Sequence, residues 1–127
     1  MSQYQAGVCN IGGAEVAKRK QLSYIGGAIF LLFILIATVQ DFSKKETAVA
    51  FGPAVLFSVG FIQSRRKFCL AYGLMGTFNF QKIGALTRVE DRDSLKADRS
   101  TAISILAQSL GLALLLTAAA LALNVAL

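Results

Sequence analysis

The sequence contains no histidine and no tryptophan, and it has only two cysteines and one proline among 127 residues. Without histidine the chain lacks the commonest metal ligand, the commonest haem ligand and the commonest general base, which disfavours the functions that depend on them. Neither Cys9 nor Cys69 belongs to a CxxC or other zinc-binding spacing. No metal site, no resident cofactor and no catalytic residue is therefore predicted.

Charge is missing from three long stretches, although the whole chain has a net charge of +6. Segments 22–39 and 101–127 are long uncharged runs of the kind that crosses a membrane as a helix. Segment 48–63 is shorter and contains Pro53, so a kink or a late helix start is expected near Gly52–Pro53. The sequence predicts a single all-α integral membrane domain with three transmembrane helices: an antiparallel hairpin followed by a C-terminal span.

The boundaries follow from the charged residues between these runs. We expect a tail at 1–21, helices at 22–40, 48–63 and 101–127, an outer turn at 41–47 and a loop at 64–100. Within that loop, 68–80 is apolar but too short to span, so it would lie in the interface, re-enter the membrane or pack on other helices. A fourth span over 68–86 is the alternative, at the cost of moving four basic residues outside. Asp91, Asp93 and Ser94 are candidate caps for the last helix.

The basic residues give the predicted helices an orientation. Of the 13 lysines and arginines, only Lys44 and Lys45 fall on the side opposite the N-terminus. The positive-inside rule then places the N-terminus in the cytoplasm and the C-terminus outside, with a bacterial inner (plasma) membrane as the expected location. The other eleven are Lys18, Arg19, Lys20, Arg65, Arg66, Lys67, Lys82, Arg88, Arg92, Lys96 and Arg99.

Two clusters within this set are candidate contacts for anionic lipid or for an acidic partner protein. They are Lys18, Arg19 and Lys20 before the first helix, and Arg65, Arg66 and Lys67 after the second. The alternative is that they serve topology alone. Cys69 follows the second cluster, so it is either a reactive thiol or, like Cys9, a small apolar filler.

Segment 68–80 combines large soft side chains with glycines that allow close approach. Its candidate contacts for a quinone, a pigment, a lipid tail or a partner helix are Phe68, Tyr72, Met75, Phe78 and Phe80. The alternative is an interfacial segment that covers the protein's own helices.

Small and polar residues in the spans are candidates for close helix packing. They are Gly52, Pro53, Ser104, Ala107, Gln108 and Gly111, of which Ser104 and Gly111 form a seven-residue repeat with Ala118. The partner could be another helix of this chain, a second copy or another membrane subunit.

The function expected from these features is non-catalytic. The spans contain no acid or base, which is unlike an ion-coupled transporter. The sequence favours an accessory subunit of a larger membrane complex of respiratory or photosynthetic type, with membrane lipids and other integral subunits as partners and no nucleic acid. A homo-oligomeric transporter or channel is the alternative, followed by a membrane enzyme using a cytoplasmic-face cysteine.

Overall fold

Three long helices form the protein, as the sequence predicts. The computed structural model describes residues 4–80 and 86–126, with side chains described as far as residue 123. The helices are α1 (Gly13–Val39), α2 (Lys44–Thr47), α3 (Phe51–Arg66), α4 (Leu70–Met75) and α5 (Arg92–Ala126), and a 3-10 turn at Ala48–Ala50 joins α2 to α3. Helical segments Gly13–Val39, Lys44–Arg66 and Arg92–Leu123 are each long and apolar enough to cross a membrane. The prediction of three membrane helices is confirmed at this level.

Helix α3 lies in the middle of the bundle. It packs against α1 on one side and against α5 on the other, while α1 and α5 have little contact with each other. The short loop after α1 makes α1 and α3 an antiparallel hairpin, and α4 packs against α5. The outward faces of α1 and α5 are consequently the main apolar surfaces of the molecule.

Two glycines allow the backbones of α1 and α3 to approach each other closely. A Cβ atom on Gly26 would lie 2.5 Å from the backbone nitrogen of Phe57. One on Gly60 would lie 2.8 Å from the carbonyl oxygen of Arg19 and from the backbone nitrogen of Ser23. Any larger residue at either position would push the two helices apart. Close approach at small residues is the usual basis of helix association in lipid.

The element boundaries differ from the sequence prediction in three places. Helix α1 begins at Gly13, so it takes up part of the predicted tail 1–21. Helix α2 replaces most of the predicted outer turn 41–47, because Ser43 and Glu46 form a reciprocal capping box. Helix α5 begins at Arg92 and so takes up the end of the predicted loop 64–100, where the candidate caps of the last helix lie, and the carboxylate of Asp91 accepts the Ser94 N–H at 3.2 Å.

Segment 68–80 does not cross the bundle as a helix. It forms α4, then turns at Gly76 with φ of +74°, and continues as strand β1 (Thr77–Phe78). Strand β1 pairs antiparallel with β2 (Thr87–Arg88), with Phe78 opposite Thr87. This small sheet departs from the predicted all-α fold, since a left-handed glycine ends α4 after six residues.

The first part of α5, together with α4, β1 and β2, lies at one end of the bundle. Phe68 is fully buried there and packs in a core cluster with Ala102 and Ile105 of α5. The N-terminal segment 4–12 lies at the same end, where Gly7 contacts Thr101 and Gly12 contacts Phe80. We call this end, comprising residues 4–20, 67–80 and 86–102, the cap.

Candidate functional site

A buried carboxylate organises the start of α1. Glu15 is 1% exposed, and its Oε1 lies 2.8 Å from Nη1 of Arg19, one turn later on the same helix. Its Oε2 accepts hydrogen bonds from the Tyr72 hydroxyl and, at 3.2 Å, from Nδ2 of Asn79. One acid thereby joins α1 to α4 and to the residue after β1. The burial of Glu15 is tolerated because a cation and two neutral donors surround it.

Asn10 fastens the N-terminal segment to the turn before α4. Its Oδ1 accepts the Cys69 N–H at 2.7 Å, and its Nδ2 donates to the Cys69 carbonyl at 3.1 Å. Its backbone N–H donates to the Lys67 carbonyl at 3.2 Å, and its carbonyl accepts from Asn79 at 2.9 Å. All the main hydrogen-bonding groups of this fully buried residue are used in holding three segments together.

A second buried carboxylate, Asp98 of α5, holds the beginning of the described chain. It accepts the Gly7 N–H at 2.6 Å and the hydroxyl of Tyr4, while the Thr101 hydroxyl donates to the Gly7 carbonyl at 2.7 Å. Burial, followed by the hydrogen bond to Asp98, raises the pKa of Tyr4. Burial and the hydrogen bond to Glu15 likewise raise the pKa of Tyr72. Both phenols therefore act as donors to carboxylates.

The two cysteines lie in different surroundings within the cap. Cys69 is buried, and Nη2 of Arg19 lies 3.0 Å from its Sγ. Cys9 is half-buried, with its Sγ 3.6 Å from the carbonyl oxygen of Ile11. Both are free thiols. Cys69 thus contacts the guanidinium of Arg19, and not one of the three basic residues that precede it in sequence.

The structure divides the first predicted basic cluster and leaves the second exposed as a whole. Lys18 and Lys20 are exposed, whereas Arg19 points inward to Glu15 and Cys69 and lies 5.4 Å over the Tyr72 ring. The members of the second cluster are exposed and line a cavity of about 580 Å³ beside Gly12 and Gly13. The predicted contacts with anionic lipid or a partner remain predictions for the exposed members.

The second cluster also has contacts of its own. The guanidinium of Arg65 lies 5.6 Å over the Phe61 ring, and Nη1 of Arg66 lies 3.5 Å from Oε1 of Gln108 on α5. Lys67 has a left-handed backbone, with φ of 53°, where it ends α3. Lys82, which the orientation argument counted on the same side, is outside the described residues.

The aromatic residues of segment 68–80 are largely covered by the chain itself. Phe68 is buried in the cap core, and Tyr72 contacts Glu15. Phe78 stacks on Tyr4 at 4.7 Å between ring centroids, and Phe80 lies 5.9 Å from Phe78. Met75, by contrast, is 58% exposed. The five residues are therefore dispersed over the cap rather than gathered around one cavity.

The residues predicted to pack helices lie mostly on the outside of the molecule. Pro53 is half-buried, and the exposed members are Gly52, Ser104, Ala107, Gln108 and Gly111. The face of α5 that packs in the bundle is instead formed by Ala102, Ile105, Ser109, Ala113, Thr117 and Ala120. At 3.6 residues per turn these buried positions lie on the side of the helix opposite to Ser104 and Gly111. The predicted packing set therefore does not form the contact between α5 and the rest of the bundle.

A cleft of about 570 Å³ opens between the cap and the long helices. Helices α1, α3 and α4 contribute most of its lining, and α5 contributes Leu106. Its lining includes Glu15, Lys18, Arg19, Leu22, Val59, Gln63, Cys69, Leu70, Ala71, Tyr72 and Leu106. Among the described residues, no group of three or more histidine, cysteine or acidic side chains is placed to hold a metal ion.

Four polar residues that hold the cap together were not singled out from the sequence. They are Asn10, Glu15, Asn79 and Asp98. The spacing of Glu15 and Arg19, four residues apart at the start of a helix, is the one signal that could have identified a pair. Comparison of the chain with protein-family models, with curated proteins and with solved structures finds no match.

Proposed function

We propose that this protein is an accessory subunit of a larger membrane complex, and that it binds its partner through the outer face of α5. We define this face, the α5 stripe, by Ser104, Gln108, Gly111, Ala118 and Ala122. The complex is of the respiratory or photosynthetic type in a bacterial inner membrane, with the cap in the cytoplasm. The concentration of lysine and arginine at the cap end supports that orientation.

The exposure of the α5 stripe is the observation on which the proposal depends. All five of its residues are exposed. A Cβ atom on Gly111 would have no neighbour within 4 Å, so the stripe has an open surface at its centre. Small residues in a membrane helix allow another helix to come close, which is how helices gain van der Waals contact in lipid.

The outer face of α1 provides the contrast. Its exposed residues are large and aliphatic, such as Leu31 at 70% and Leu35 at 60% exposure. Such side chains are suited to acyl chains and hold a neighbouring helix backbone at a distance. Helix α5 also exposes leucines, and Leu115, at 70% exposure, lies among the residues of the stripe. The difference is that α5 exposes small residues repeatedly along its span, whereas the only small residue that α1 exposes within 22–39 is Ala28.

The arrangement of the cap also favours a structural function. Glu15 and Asp98 have several hydrogen-bond donors each, and these bonds hold segments of the chain in place. Asn10 is likewise committed to the backbone of Cys69. The hydrogen-bonding capacity of these groups is thus used to hold the cap together.

Photo-crosslinking from single positions tests the proposal. A photoreactive amino acid replaces Gln108, the longest side chain of the stripe, and, as a matched control, Leu31 or Leu35 on α1. Irradiation in the native membrane is expected to give one discrete adduct from Gln108 and none from α1. The proposal fails if both faces give no adduct, or give the same adducts. An adduct of twice the 13.5 kDa mass would instead indicate self-association.

A further inference from the structure

We propose that the cleft between the cap and the long helices binds one anionic phospholipid of the surrounding bilayer. The phosphodiester would lie against Arg19 and Lys18, and one acyl chain would follow α3 toward the membrane interior. This site is separate from the α5 stripe, and its existence does not depend on the proposed complex.

The lining of the cleft changes character along the bundle. At the cap end it presents Arg19, Gln63 and the hydroxyl-bearing Tyr72. Toward the spans it presents Leu22, Val59 and Leu106, from three different helices. Leu22 follows Arg19 by about one helical turn, and Val59 lies about one turn from Gln63, so both helices change from polar to aliphatic in the same direction. A cleft of this kind matches a ligand with a polar head and an apolar tail.

The charges of the cleft indicate the sign of the headgroup. Arg19 is balanced by Glu15 at 2.8 Å, which leaves the ammonium of Lys18 as the uncompensated charge of the lining. Arg19 binds Glu15 through Nη1 and Cys69 through Nη2. Its Nη2 carries a second N–H, which a phosphodiester oxygen that pairs with Lys18 would accept.

The position of the cleft favours a lipid over a soluble anion. A cavity of about 570 Å³ is in the range of ligand sites, and most of its lining is apolar. A free phosphate would bury none of the surface of Leu22, Val59 and Leu106. A diacyl lipid would cover this surface and keep its headgroup at the level of Arg19.

Native mass spectrometry of the full chain in detergent measures this binding directly. The probes are phosphatidylglycerol and phosphatidylcholine with identical acyl chains. One phosphatidylglycerol is expected to bind more tightly than phosphatidylcholine. Lys18→Gln should weaken it about fivefold, since one basic residue near a membrane surface contributes about 1 kcal/mol. Lys20→Gln removes the same charge from an exposed position outside the lining, and it should leave the affinity unchanged.

A second pair of variants tests the cleft itself. Ala71 is exposed and lines the cleft, so Ala71→Trp should occupy its cap end and weaken binding at least as much as Lys18→Gln. Ala17→Trp adds the same side chain at an exposed position outside the lining. All four positions are exposed, so each variant is expected to fold, as circular dichroism would verify.

The outcomes separate a lipid site from its alternatives. Glycerophosphoglycerol, the headgroup without acyl chains, should not compete with the lipid. Equal competition would identify a site for soluble phosphate and overturn the proposal. Equal weakening by Lys18→Gln and Lys20→Gln would indicate diffuse surface attraction. Unchanged binding in Ala71→Trp would show that the lipid lies elsewhere. Either of these last two results would reject the cleft as the binding site.

Discussion

The cap and the spanning part of the bundle are held together by different interactions. In the cap, buried Glu15 and Asp98 collect hydrogen bonds from segments far apart in sequence. Between the spans, α1 and α3 meet at Gly26 and Gly60, where the absence of side chains allows the backbones to touch. The stability of the cap depends on hydrogen bonds between buried polar groups. The packing of the spans depends on close contact between helix backbones.

This difference follows from the surroundings of each region, which are hydrocarbon for the spans and water for the cap. In hydrocarbon there is little hydrophobic force between helices, so close van der Waals contact determines their association. At the cap, water competes for every polar group, and a buried carboxylate is stable only when donors surround it. Each region should therefore be sensitive to a different kind of substitution.

The largest effect is expected from removing the acid of the cap. Glu15→Ala would leave Arg19 partly buried without its carboxylate and would remove the acceptor of Tyr72 and Asn79. Breaking a buried pair in this way costs about 3–5 kcal/mol. Thermal unfolding in detergent should show a large loss of stability. Glu90→Ala removes an exposed acid and should behave as wild type. Equal melting temperatures for both variants would contradict the assigned function of Glu15.

A smaller loss is expected where the spans touch. A methyl group added by Gly26→Ala would lie 2.5 Å from the backbone nitrogen of Phe57, so α1 and α3 must separate. Overpacking of this kind costs about 1–3 kcal/mol. The matched control is Gly111→Ala, whose Cβ has open space and which should be neutral or slightly stabilising in a helix. Similar melting temperatures for the two variants would show that the contact between α1 and α3 is not tight.

A milder, pH-dependent effect is expected from the cap phenols. The pKa values of Tyr4 and Tyr72 are raised in the folded protein above the ordinary value near 10. Their contribution to stability is complete below pH 10 and is lost as pH rises above it. The melting temperature should therefore fall between pH 10 and 11.5, and less steeply in Tyr4→Phe or Tyr72→Phe. Tyr24→Phe, at a 65% exposed position, controls for loss of a hydroxyl. If the melting temperature fell with pH as steeply in Tyr4→Phe and Tyr72→Phe as in the wild type, the raised pKa values of Tyr4 and Tyr72 would be contradicted.

The membrane-spanning helices could be predicted from the sequence because a long apolar run without charged residues is typical of a transmembrane helix. The cap could not, because its bonds join residues far apart in the chain. Asn10 is 59 positions from Cys69, and Tyr4 is 94 from Asp98. An isolated asparagine or aspartate looks the same in sequence whether it is buried among donors or exposed to water.

The small residues of α5 illustrate a second limit. Their seven-residue repeat indicates a contact face, but a repeat does not say which neighbour covers it. In the structure the opposite face, with Ala113 and Thr117, packs in the bundle. Ser104 and Gly111 stay outside. The same observation is the basis of the proposed partner contact.

Native electrophoresis in a mild detergent tests that contact most directly. Wild-type protein is expected to migrate as part of a complex much larger than its own 13.5 kDa. Gly111→Leu fills the stripe at a position where an added Cβ atom has no neighbour within 4 Å, and it should release the subunit. Ala28→Leu enlarges an exposed residue on α1, and it should leave the complex intact. Wild-type protein that migrates alone, or a complex that survives Gly111→Leu as well as Ala28→Leu, would contradict a partner on the α5 stripe.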